Sequence, residues 1–122
     1  KNGDYSVARN GWLADYNDPI NMLEMFATDS GNNDSQFGRD MDKHPSAPQN
    51  WADYDKLIKQ IRTSTDFASR VDLMHQAEDM LMDTWAVIPI YYYNDIYMVK
   101  GNVKGVYGTV YGMKYFMYAT KS

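Results

Sequence analysis

The chain has no cysteine. That excludes disulfides, thiol nucleophiles and thiolate metal sites, and it leaves the compartment open, because many exported bacterial proteins also contain none. No run approaches the ~20 apolar residues that a membrane-crossing helix needs, and Lys1 does not open a signal peptide, so any export signal or lipid anchor is expected upstream. Basic excess is missing too: 12 Lys plus Arg stand against 16 acids, a formal charge of -4. This gives no footprint for nucleic acid or an anionic membrane surface. Histidine is scarce; His44 and His75 have no helical i, i+4 partner and do not make a metal site. Gly101, Gly105, Gly108 and Gly112 lack a following Gly-Lys-Ser/Thr ending and a helix signal, so they read as turns and not as a phosphate cradle.

What is there suits one ordered unit. A chain of 122 residues, 44% of them hydrophobic, has material for a core. Eleven tyrosines and three tryptophans supply rings with polar handles, which fit a surface that stacks on a ligand and equally fit a wet core edge. Methionines fall mostly on core stripes, at Met22, Met74 and Met80 to Met82, or in the terminal strands, where packing is their role.

The chain is organised around Arg9-Asn10-Gly11-Trp12-Leu13-Ala14-Asp15-Tyr16-Asn17-Asp18-Pro19. Alternation of Tyr5, Val7 and Arg9 with Ser6, Ala8 and Asn10 predicts a strand that breaks at Gly11. A large aromatic, a carboxylate and a second aromatic follow within five residues. Asp18-Pro19 then starts a helix, since Asp caps free N–H groups and Pro lacks the one that would go unpaired. Such a strand-to-helix loop is a place to hold a ligand; the plainer reading makes Trp12 and Tyr16 core and Asp15 a solvated acid.

Further on, Ile20, Leu23, Met25 and Phe26 predict a short helix to about Ala27. Residues 28 to 50 read as loop. Within it Asp29-Ser30-Gly31-Asn32-Asn33-Asp34 looks like a calcium loop, but its sixth position lacks glycine and its twelfth is Asp40 where glutamate is usual, so an Asn-rich structural role fits better. Trp51 to about Thr63 reads as a helix with Tyr54, Leu57, Ile58 and Ile61 on one face. Ser64-Thr65-Asp66 ends it and caps a second helix, about Phe67 to Trp85, striped by Phe67, Val71, Met74, Ala77, Leu81 and Trp85. Val87 to Asn94 predicts a strand buried on both faces, Ile96 to Val99 another, and Lys114 to Thr120 a closing strand.

Val7 through Pro19, together with Asn50-Trp51-Ala52-Asp53-Tyr54-Asp55-Lys56-Leu57-Ile58, Ala77-Glu78 and Ile88-Pro89-Ile90-Tyr91-Tyr92-Tyr93, resembles the C-terminal part of an oligopeptide-binding protein. This is the family of extracytoplasmic solute-binding subunits (family 5) of bacterial peptide ABC transporters. The blocks follow the family's order and nearly span the chain, although such proteins are several times longer. The resemblance implies an α/β fragment of a periplasmic-binding-protein type II-like fold, with helices packed on a mixed sheet. It implies that residues 1–93 belong to the second ligand-binding lobe and that residues 94–122 return to the first, their strands normally paired with sheet outside this chain. Exposed edges then favour self-association of the isolated chain.

The same resemblance implies a non-catalytic receptor with no cofactor, outside the cytoplasmic membrane, whose partners are an oligopeptide and the transporter's permease subunits. Contact with the membrane is through an anchor or the permease. Asp15, at the position matching the family's ligand-binding Asp, is expected to hold the peptide's ammonium, a cation that needs acceptors when enclosed. Trp12 and Tyr93 are expected to line side-chain pockets, and the backbone of Leu13 to extend the peptide as an added strand. Arg9 matches a ligand carboxylate in two-pronged fashion, or pairs with an acid such as Asp15. Alternatives of other classes are a hydrolase using Asp15 with Glu24 or Asp18, a structural or oligomerising fragment without binding activity, and a binding protein for dipeptides, sugars or metal chelates.

Overall fold

The computed structural model describes residues 5–39 and 51–122. Asp40 and His44, on which the calcium and histidine readings touched, lie outside them, as do Lys1 to Asp4. Asp18 starts the first helical piece as expected: its Oδ1 accepts the Ile20 N–H at 3.1 Å. Helix α1 (Ile20–Leu23) runs on into a 3-10 turn, Glu24–Phe26.

Helix α2 (Ala52–Thr63) buries Tyr54, Ile58 and Ile61, which recur at four and three residues and so share one face. Asp53 and Asp55 sit in its first turn and Arg62 in its last, each complementing the helix dipole. Helix α3 (Phe67–Met82) opens on Asp66, whose carboxylate accepts the Ser69 N–H at 2.8 Å, and it buries Met74, Ala77 and Leu81. The two helices join through Ser64 to Asp66, a link short enough to make them antiparallel neighbours.

The core lies where α1, α2 and α3 meet and is extended by an aromatic row from the loop. Trp51 stacks on Tyr54 with ring centres 4.4 Å apart, and Phe37 lies 4.6 Å from Trp51. Polar ends are spent on backbone: Trp51 Nε1 donates to the Phe26 carbonyl and the Tyr54 hydroxyl to that of Leu23, both at 2.8 Å. Residues 28–39 form successive turns around buried Asn33, whose side chain donates to the Phe37 carbonyl at 2.9 Å and accepts the Phe37 N–H. Gly38, at φ +69°, allows this loop to close on itself and on α2's entry, because a Cβ there would stand 2.0 Å from Thr28 Oγ1 and 3.1 Å from the Trp51 Cβ.

Several expected elements take another form. Helix α3 ends at Met82 instead of Trp85: the Thr84 hydroxyl turns back to the Leu81 carbonyl at 2.7 Å, and Trp85 adopts φ +57°. With 16 residues against 12, α3 outruns α2 by about 6 Å at 1.5 Å per residue. Leu81 is the last buried residue of the stripe; Trp85 lies beyond the helix and is 88% exposed, and Phe67 at the helix's other end is 78% exposed.

The segments expected as strands at Tyr5 to Asn10, Val87 to Asn94 and Ile96 to Val99 form no ladder among the described residues. Ile88, Ile90, Tyr92, Ile96 and Met98 are exposed, the reverse of burial on both faces. The physical reason is that an extended chain becomes a strand only when its N–H and C=O groups meet a neighbour's, and no described strand lies beside these. Among the described residues the helices pack on one another.

Lys114 to Thr120 divides into two short strands. Strand β1 (Val103–Lys104) pairs antiparallel with β4 (Thr120–Lys121), and β2 (Tyr107–Gly108) with β3 (Lys114–Tyr115). Four residues separate β3 from β4 while two separate β1 from β2, so Phe116 to Ala119 loop out in a turn closed by Ala119 N–H on the Phe116 carbonyl. The elements are thus mixed helix and small antiparallel sheets, compatible with an α/β class.

Candidate functional site

Asn21 sits on α1 between Ile20 and Met22 and is 3% exposed. Its Oδ1 accepts two donors at once, the Trp12 indole N–H at 2.9 Å and the Asp15 backbone N–H at 3.0 Å. The loop before α1 is therefore folded back on the helix it leads into. Trp12 and Asp15 both line a concavity of about 300 Å³, together with Asn21, Glu24, Asp29 and Arg62. Asp15 itself is exposed, and among the described residues no cation pairs with it.

Two other carboxylates of this region, Glu24 and Asp18, are committed. Glu24 accepts Arg62 Nη2 at 2.8 Å and the Tyr16 hydroxyl. Burial pushes the Glu24 carboxyl up, but the hydrogen bonds from Tyr16 and Arg62 outweigh it and hold the group below its ordinary value. Asp18 pairs with Arg70 Nη2 at 2.8 Å; burial again raises it, and Arg70 with the Ile20 N–H brings it below the ordinary range. A hydrolytic pair of Asp15 with Glu24 or Asp18 would thus enlist a carboxylate already neutralised by guanidinium.

Arg70 also ties down the helix pair, because its Nε donates to the Ile61 carbonyl at the end of α2, at 3.1 Å. One side chain of α3 thereby joins the α2 terminus to the start of α1.

Arg9 does not pair with Asp15. Its Nη2 donates to the hydroxyls of Tyr91 and Tyr93, at 3.1 and 2.9 Å, and these rings meet edge to face with centres 5.0 Å apart. Tyr93 lowers Tyr91 below an ordinary phenol, and the same contact raises Tyr93. The Tyr93 hydroxyl lies 2.9 Å from where a Cβ on Gly11 would stand, so a larger residue there would make the exposed Tyr93 ring shift. The expected site residues thus fall into two groups along one loop: Trp12 with Asp15 on the concavity, and Arg9 with Tyr93 beside Gly11. Leu13, between them, is exposed.

Sequence reasoning missed Asn21, Glu24's pairing with Arg62, and Arg70. Asn21 carried a readable signal, a polar residue inside the apolar face made by Ile20 and Leu23. The two ion pairs carried none, since Arg62 and Arg70 look like ordinary surface charges on amphipathic helices.

Trp12 and an Asp15 carboxylate that pairs with no cation among the described residues thus share one concave surface. No protein-family model matches the chain. It is 39% identical over 114 residues, 93% of its length, to the oligopeptide-binding protein OppA of Bacillus subtilis (strain 168). Over 84% of its length it is 36% identical to the dipeptide-binding protein DppE of the same organism. The periplasmic oligopeptide-binding protein OppA of Salmonella typhimurium is 36% identical over 87%. The chain belongs to this family, the family 5 solute-binding proteins, and corresponds to a C-terminal part of it. It spans 17–19% of the length of these relatives.

Proposed function

We propose that the chain is part of the peptide-binding component of an ABC transporter for oligopeptide uptake, acting outside the cytoplasmic membrane without chemical turnover. The single observation that carries the reading is the placement of Asp15: an unpaired carboxylate on a concave surface beside Trp12, in a chain similar to proteins named for peptide binding. A ligand ammonium enclosed there would receive a charge-assisted hydrogen bond in exchange for lost water.

In this reading Trp12 and Tyr93 border pockets for side chains, and the exposed backbone at Leu13 adds the peptide as a strand. Arg9, held by two phenol hydroxyls that leave its charge uncompensated, meets the carboxylate of a short ligand. Residues 1–93 serve the second lobe and 94–122 return to the first. Permease subunits are the partner that receives the loaded protein, and attachment to the membrane lies with an anchor or with that permease. Among the described residues no helix is long and apolar enough to cross a membrane.

A second reading, a binding protein for dipeptides, is favoured by the 36% identity to a dipeptide-binding relative. Both readings place a free amine at Asp15. Calorimetric titration of the full-length protein carrying this chain tests them: Asp15→Ala is expected to lower peptide affinity by on the order of 2–5 kcal/mol, as for a buried charge left unpaired. Unchanged affinity would remove the amine anchor.

A further inference from the structure

We propose that Asn21 is the positioning residue that presents Asp15 to the ligand before the ligand arrives. The inference rests on the reading of Asp15 as the anchor and goes beyond it in naming what holds the anchor still.

Loop residues between Gly11 and Asp18 belong to no ladder, and Asp15 and Leu13 are exposed. Left to itself such a loop samples many conformations, and a ligand would have to order it on binding. Two donors of the loop, one from the Trp12 side chain and one from the Asp15 backbone, converge on Asn21 Oδ1. Because the second is Asp15's own N–H, the bond fixes the Cα from which the carboxylate projects. Because the first is the indole, the ring that walls the concavity is set by the same atom.

Asn21 is itself immobilised. It is nearly solvent-free and rides on α1, which Asp18 caps and Arg70 ties to α3. An amide suits this place better than a carboxylate or a lysine, since it accepts two hydrogen bonds without putting a charge next to Glu24, which lines the same concavity. The arrangement is a supported site on a rigid element, with the recognising group one step away from the residue that orients it.

The test is a double-mutant cycle in the full-length protein, titrated with tetra-alanine bearing a free amino terminus, with folding checked by thermal melt. Asn21→Leu, similar in shape but without an acceptor, is expected to weaken binding about tenfold, the scale of one or two lost buried hydrogen bonds. Asn21→Asp, which keeps the acceptor oxygen but puts a charge beside Glu24, is expected to retain more affinity than Asn21→Leu while falling short of the wild type. In the Asp15→Ala background Asn21→Leu should add little further loss, because its effect passes through the missing carboxylate. Where Asn21→Leu fails to fold, Asn21→Ala, whose vacated volume admits water, carries the same cycle. Wild-type affinity in the Asn21 variant, or an equal loss with and without the Asp15 carboxylate, overturns the inference. Unchanged binding in Asp15→Ala alone overturns the reading of the anchor instead.

Discussion

Tyr54 shows how single residues hold this fold. Its ring is fully buried against Trp51, and its hydroxyl donates to the Leu23 carbonyl at the end of α1. Burial pushes the phenol well above its ordinary pKa, so it remains a neutral donor across the physiological range. Tyr54→Phe keeps the stacking but leaves that carbonyl without its partner, and is expected to cost ~1–3 kcal/mol. Urea unfolding measures this, and an unchanged midpoint would show that the hydroxyl contributes nothing net. At this scale Tyr54 was legible as core from its spacing to Ile58 and Ile61. Its acceptor was not, because Leu23 lies 31 positions away and nothing local marks which carbonyl faces it. The same holds for Arg9, whose charge was legible in the sequence while its tyrosine partners, 82 and 84 positions on, were not.

Among elements, α1 is too short to stand alone. It stays in place because Asp18 and Glu24, near its two ends, pair with Arg70 of α3 and Arg62 of α2. Both carboxyls are held below their ordinary values of 3.8 and 4.5. A depressed native pKa contributes stability above the unfolded value that disappears as pH falls through the native one. The contribution is therefore present at neutral pH and fades once pH drops below those ordinary values. Melting temperatures of the chain recorded from about pH 6 down to about pH 2 should fall. Replacing Arg62 and Arg70 by Met should flatten that fall, and an equally steep drop in the double variant would place the acid sensitivity elsewhere.

The C-terminal ribbon depends on a different residue type. Gly105 has φ +76°, and a Cβ there would stand 2.0 Å from the Tyr118 carbonyl oxygen. Gly105→Ala is expected to open the β1–β4 pairing and speed amide exchange at Ser122, whose N–H donates to Asn102. Exchange unchanged at Ser122 would show that the turn relaxes without loss. Both long helices were legible because each buries its face on the other. That residues 87–99 form no ladder among the described residues was not, since their apolar pattern states only that they can be covered and does not supply the neighbour that covers them.

For the whole molecule, the apolar side chains from Trp85 to Val99 and from Phe116 to Tyr118 stand largely in solvent. Surfaces of this kind on unpaired extended chain invite pairing with another strand. The isolated 122-residue chain is expected to self-associate, with light-scattering mass rising with concentration; a monodisperse monomer at high concentration would contradict this. In the protein of which this chain is proposed to form a part, the same surfaces are expected to be covered by the rest of the polypeptide.

Asp15 is proposed to recognise a positively charged amino terminus. The most direct measurement compares tetra-alanine with its N-acetylated form in calorimetric titration against the full-length protein. Acetylation removes the ammonium and leaves the rest of the peptide intact, so a loss of at least about tenfold is expected, the scale of one charge-assisted hydrogen bond. Equal affinity for the two peptides would contradict it.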